Sequence, residues 1–185
     1  ACIDELCKKG NFDPWQFRYD NALVDGLKTA TGQKLEGVGI RACLNALKKD
    51  YESARYKGIA CAIKNSGVGN GMPDFSDVII KIENESRVSI HHGWTEMGQG
   101  VHTIAIQTLC EETKIDPGIV DVFVDTAAGI KTGMTTSSRA TALLGNAIID
   151  ACKALKEDLE DRTLKDLAGK SYKGRFFCDW TTKPG

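Results

Sequence analysis

The sequence predicts an α+β fold, a mixed sheet with packed helices, on three observations. Residues 140–155 carry the clearest helical periodicity: Ala140, Leu143, Leu144, Ala147, Ile148, Ala151, Cys152 and Leu155 recur at helical spacing. Asn146, Asp150, Lys153 and Glu157 take the opposite face of that helix. Val78, Ile80 and Ile82 alternate with Asp77, Lys81 and Glu83, and Val88 and Ile90 alternate with Arg87 and Ser89, across a short Asn84-Glu85-Ser86 connection. That is the pattern of a hairpin. Helical and strand patterns follow one another without strict strand–helix–strand alternation, which disfavours a doubly wound parallel sheet.

The remaining elements follow in order. Residues 1–9 read as the end of a helix, and Asp13-Pro14 restarts one, with Asp13 as N-cap and Pro14 at the first helical position. A polar stretch through Gly32 and Gly37 leads to a third helix that fades near Ser53. Its apolar side is Val38, Ala42, Leu44, Ala46 and Leu47. Ile59 to Ile63 is a short apolar run before a Gly-rich loop from Ser66 to Pro73. A fourth helix begins near Gly100 or Val101, with Val101, Ile104, Ala105 and Leu109 facing inward. Pro117-Gly118 introduces a strand over 119–124, and Gly174 to Cys178 forms a last one. The expected organisation is one domain over 1–185, with a helical N-terminal part over 1–55 and an α+β part over 56–185. Trp15, Trp94 and Trp180 read as packing residues.

Composition narrows the partners. The 24 Lys and Arg nearly balance 25 Asp and Glu, so no net field favours nucleic acid or an anionic membrane surface. No run approaches the roughly 18 apolar residues that a spanning helix needs. Seven cysteines at positions 2, 7, 43, 61, 110, 152 and 178 form no close pair, and read as buried, reduced thiols without iron–sulfur or zinc chemistry. A cytoplasmic location is expected on that cysteine usage. The chain opens without an initiator Met or a signal pattern and stops abruptly at Thr182-Lys183-Pro184-Gly185; the expectation is a piece of a longer protein.

Two stretches can carry chemistry. Thr95-Glu96-Met97-Gly98-Gln99-Gly100-Val101-His102-Thr103 lies where a strand ends and a helix begins. Its glycines permit a tight turn, and the amides and dipole of the following helix suit an anion. An ordinary strand-to-helix turn explains the same residues. The second stretch, Lys131 to Thr141, gathers Thr135, Thr136, Ser137, Ser138 and Arg139 at the start of the clear amphipathic helix. Ser137 or Ser138 can simply cap that helix, yet four hydroxyls and an arginine exceed what one cap requires. Neither stretch has the spacing of a nucleotide-binding loop. His91 and His92 point to opposite sides of a strand, so no shared metal is expected there.

The 95–103 stretch resembles the pterin-binding loop of the xanthine dehydrogenase and aldehyde oxidoreductase family. Arg87 to Gly93 looks like that family's strand into the loop, and Thr135 to Thr141 with Gly145-Asn146-Ala147 resembles its second cofactor segment. Asp13-Pro14-Trp15-Gln16-Phe17-Arg18 with Asn21 is similar to its D-P-x-x-F-R-x-x-N signature. The resemblance covers almost the whole chain and implies a molybdenum cofactor-binding domain. The implied cofactor contacts are Gly98, Gln99 and Gly100 in one loop, and Thr135, Thr136, Ser137, Ser138 and Arg139 in the other. It implies a molybdopterin cofactor here and, elsewhere in the complex, iron–sulfur clusters and FAD. The T-S-S-R start also resembles members that carry a dinucleotide form of the cofactor.

The implied reaction is hydroxylation of a purine, another heterocycle or an aldehyde, with water as the oxygen source. The family's base, a glutamate in a G-x-G-E-P-type motif, has no counterpart in residues 1–185, and neither has its F-R-G-F-G stretch. No catalytic residue is therefore assigned, and the chain by itself is expected to be inactive. Its expected partners are a small-molecule substrate, the rest of the molybdenum subunit, and iron–sulfur and FAD domains or subunits. The rival expectation is a non-catalytic binding or assembly module that keeps the fold without a cofactor.

Overall fold

The computed structural model describes residues 2–62, 64, 67–69, 71–124 and 127–179. Trp180 and the closing residues Thr182 to Gly185, whose packing role and abrupt ending were sequence expectations, lie outside the described residues. The chain divides into two compact units, one ending at Lys64 and one following it.

The first unit is helical: α1 (Cys2–Gly10), α2 (Pro14–Asp20) and α3 (Ile40–Ser53). Asp13 caps α2 as its sequence demands, its carboxylate accepting from the Gln16 amide at 2.7 Å with Pro14 in the first turn. Trp15 ties α2 to α3 by donating from Nε1 to the Leu44 carbonyl at 3.1 Å. Arg18 ties α2 to α1 through Asp4 at 2.6 Å. The core cluster here is small: Trp15, Ala22 and Leu44. Of the apolar side expected for α3, only Leu44 is buried; Val38 and Leu47 line an open cleft of about 660 Å3, and Ala42 and Ala46 are exposed. The cysteine expectation needs the same correction. Cys2, Cys43 and Cys61 are exposed, whereas Cys7, Cys152 and Cys178 are buried; all seven thiols are free.

The second unit carries β1 (Asp74–Asn84), β2 (Arg87–His92), α4 (Val101–Thr113), β3 (Val120–Val124), α5 (Ala140–Asp161) and β4 (Ser171–Cys178). The sheet runs β3-β2-β1-β4. β1 pairs antiparallel with both β2 and β4, and β2 pairs parallel with β3 across α4, so the sheet is mixed, as the sequence predicts. The hairpin turn closes with the Ser86 amide donating to the Asn84 side chain at 2.8 Å. One face of the sheet is covered by α4 and α5. Val78, Ile80 and Ile82 of β1 and Val88 and Ile90 of β2 meet Ala105 and Leu109 of α4. They also meet the α5 stripe Leu143, Leu144, Ala147, Ile148, Ala151, Cys152 and Leu155. Burying each of the larger side chains contributes about 1.5–3 kcal/mol, so this unit rather than the first is the stable platform.

Two details set the positions of α5 and the hairpin. β4 begins at Ser171, three residues before the expected start at Gly174, because Tyr172 is buried in the core and pairs with Ile80. At Gly174 α5 lies directly on the strand backbone: a Cβ there would sit 2.0 Å from the Ala147 carbonyl oxygen. Among the described residues no helix is long and apolar enough to cross a membrane.

Candidate functional site

β2 and α4 deliver the first loop. His92, the last residue of β2, is fully buried, and its Nδ1 accepts the Trp94 amide at 3.1 Å. Trp94 is also fully buried and donates from Nε1 to the Ser76 hydroxyl at 2.9 Å. Beyond it the chain knots on itself. Gln99 accepts from the Met97 amide at 2.6 Å and donates to the Thr95 carbonyl at 2.8 Å. Glu96 accepts from the amides of Gly98 (2.7 Å), Gly100 (3.1 Å) and His102 (3.2 Å). Gly98 (φ 98°) and Gly100 (φ 81°) supply the left-handed conformations that the turn requires.

The start of α4 is therefore occupied by its own carboxylate. Desolvation alone would raise the Glu96 pKa, but the Gly100, His102 and Gly98 amides outweigh it and bring it down to about 2. The amides expected to face a phosphate are thus already satisfied, and Gln99 spends both ends of its amide on the loop. Gly98 and Gly100 still leave open space where a Cβ would project.

The second loop is built differently. It hangs from β1 through a bridge between Ser76 and Thr132 and a bond from the Asp77 amide to the Lys131 carbonyl at 2.9 Å. Thr135 reaches the first loop, its hydroxyl accepting from the Thr95 amide at 2.9 Å. The two stretches that the sequence singled out therefore touch, and each ends at a helix N-terminus. Ser137 (φ 58°) and Ser138 (φ 51°) both adopt left-handed backbone conformations, so neither caps α5. The N-cap is Arg139, and among the described residues no side-chain cap hydrogen bond closes the first turn. Thr136 and Ser138 are exposed, and their hydroxyls have no hydrogen-bond partner among the described residues.

Arg139 is enclosed: it is 4% exposed, pairs with the buried Asp74, donates to the Met134 carbonyl, and lies over the Trp94 ring at 4.9 Å.

Sequence reasoning passed over Glu96 as a cap and Asp74 and Ser76 altogether. An acidic residue just ahead of a helix start is a readable signal for the first. Nothing in the sequence couples position 74 to position 139. His92 and His102 lie with ring centroids 5.3 Å apart, and the Nε2 of each is enclosed without a partner among the described residues. Burial first, then the His102 charge, brings the His92 pKa down to about 4. Among the described residues no three His, Cys, Asp or Glu converge to hold a metal ion.

A mixed four-stranded sheet covered by two helices, with two loops meeting at helix starts, defines a two-layer α+β domain. A family profile described as "Molybdopterin cofactor-binding domain" matches residues 39–179, and the chain belongs to that family. It is 27% identical to the aldehyde oxidoreductase of Megalodesulfovibrio gigas over 85% of this chain and 19% of that protein. To the xanthine dehydrogenase/oxidase of Gallus gallus it is 25% identical over 90% of this chain and 14% of that one. It therefore spans less than a fifth of the length of either relative. The fold is shared with the aldehyde oxidoreductase of Desulfovibrio desulfuricans (TM-score 0.73, 21% identity, 99% of this chain, 23% of that one). It is shared also with quinoline 2-oxidoreductase of Pseudomonas putida 86 (TM-score 0.67, 13% identity, 94% of this chain, 31% of that one).

Proposed function

We propose that this domain holds the molybdopterin cofactor within a larger molybdenum hydroxylase, which oxidises a purine, another heterocycle or an aldehyde with water as oxygen source. The observation that carries this reading is the open start of α5, where the exposed Thr136 and Ser138 hydroxyls have no partner among the described residues and no described side chain caps the first turn. Such donors suit the phosphate and amide edges of a pterin. The group fits this loop. It fits the first only through shape, since Gly98 and Gly100 leave space while Glu96 keeps their amides. When bound, the cofactor supplies two-electron redox chemistry, and the residues described here orient it and shield one side from water. The base, the iron–sulfur clusters and FAD belong to other parts of the enzyme. Seven free thiols favour a reducing compartment, so the location proposed is the cytoplasm.

The test uses the intact enzyme. Molybdenum and pterin per subunit are measured in the wild type and in Thr136→Ala/Ser138→Ala, and turnover of purines, aldehydes and N-heterocycles is followed with an artificial acceptor dye. Loaded wild type and depleted variant support the reading; a wild type without metal sinks it. A second reading, a binding or assembly module without cofactor, has one observation in its favour: Glu96 completes the first loop with no ligand present. The same metal measurement separates the two.

A further inference from the structure

We propose that the buried Asp74–Arg139 ion pair is a positioning device that sets the spacing of the two loops, and that Arg139 is not an anion ligand. This rests on the cofactor-binding reading and says how the site is held. The guanidinium is surrounded. Nη1 bonds Asp74, Nη2 bonds the Met134 carbonyl, the plane lies over Trp94, and Nε is enclosed with no partner among the described residues. Asp74 is only 2% exposed, so the two charges neutralise each other within the protein.

Each contact of this arginine belongs to a different segment. Asp74 and Ser76 lie at the start of β1, Trp94 is in the first loop and donates to Ser76, and Met134 is in the second loop. Both loops are thereby referenced to one strand end. The bond from the Thr95 amide to Thr135 then closes the gap between them. Gly133 leaves the room that this needs, since a Cβ there would sit 2.4 Å from Nη2. With its one arginine neutralised, the hydroxyls and amides from Thr135 to Ser138 are left to bind without a charge beside them.

In the intact enzyme, the loss of molybdenum and pterin on dialysis is followed at low and high salt for Asp74→Asn, Arg139→Met, Arg139→Lys and the double Asp74→Asn/Arg139→Met. Each single variant is expected to lose cofactor roughly tenfold faster, as supporting residues around metal sites do. Lys does not rescue, because it cannot fork between Asp74 and Met134. The double is expected to be no worse than the worse single variant, with little salt dependence.

A direct anion contact makes a different pattern. Asp74→Asn would then free the arginine and retain or tighten the cofactor, Arg139→Lys would partly rescue, and the loss would accelerate with salt; that pattern overturns the proposal. Should the charge variants fail to fold, Gly133→Ala decides, since it keeps both charges and crowds only the guanidinium. It is expected to lose cofactor about threefold faster, a modest coupling effect. Wild-type retention in Gly133→Ala overturns the proposal while the cofactor reading stands. A wild-type enzyme that holds neither metal nor pterin overturns both.

Discussion

The starts of α4 and α5 lie side by side and solve the same problem in opposite ways. Every helix begins with amides that lack partners inside the helix. At α4 the Glu96 carboxylate takes the Gly98, Gly100 and His102 amides, and Gln99 staples the rest of the turn. At α5 no described side chain caps the first turn, two serines hold left-handed conformations, and Thr136 and Ser138 are exposed. A closed start makes a rigid surface of known shape, whereas an open one keeps donors for something else. A helix N-terminus is a binding site only when its own chain leaves it free.

The comparison breaks most severely if the ion pair behind α5 is cut. Asp74→Asn or Arg139→Met leaves a buried partner uncompensated and is expected to destabilise the second unit by about 3–5 kcal/mol. Replacing both with apolar residues recovers much of that, because desolvation offsets most of a buried pair's attraction. Denaturant midpoints of the three variants check it; equal midpoints for the wild type and Asp74→Asn would show that the pair is idle.

Acid sharpens the contrast from the α4 side. His92 has its folded pKa lowered from 6.5 to about 4, so the unfolded chain binds the extra proton first. Stability is fully present above pH 6.5 and falls as the pH drops toward 4, by an amount on the order of 3 kcal/mol. His92→Gln is expected to flatten urea midpoints over that window. Persistence of the wild-type slope would assign the acid sensitivity to other groups.

Glu96 works in a lower window. Its folded pKa is depressed from 4.5 to about 2, so its contribution is present above 4.5 and disappears as the pH falls through about 2. Glu96→Gln is expected to lower stability at pH 7 and to remove this second acid step. An unchanged acid limb would mean that the carboxylate does not hold the turn.

The smallest effect separates the two starts most directly. Thr136→Ala and Ser138→Ala are expected to change stability by no more than about 0.5 kcal/mol, as surface substitutions do. In amide spectra, added inorganic phosphate is expected to shift the first-turn amides of α5 and leave those of Gly98, Gly100 and His102 in place. With Glu96→Gln the α4 amides join them. Shifts at both starts in the wild type would erase the distinction.

Much of this was legible in the chain. The α5 stripe from Leu143 to Leu155, the alternation of Val78, Ile80 and Ile82, and the Asp13-Pro14 helix start each express one local rule. All three appear in the structure. The proximity of the two loops also follows the family resemblance, since one cofactor would touch both. The partners of Arg139 were not legible, because nothing near it in the chain points to a buried carboxylate 65 positions away. The apolar side of α3 was misjudged because periodicity shows which residues share a face, not whether anything covers it.

The sequence alone determined the order and type of the elements, the family, and which two stretches gather glycines and hydroxyls at helix starts. Those properties depend on neighbours a few residues apart, where periodicity, capping and glycine conformations act. Only the tertiary structure decided which helix start is closed, where the arginine's charge goes, and what fixes the distance between the loops. Asp74 and Arg139 are 65 positions apart, and a pairing at that separation comes from the register of β1 and the packing of Trp94. Whether a polar group is available to a ligand depends on burial and on competing partners, and both are set by residues distant in sequence.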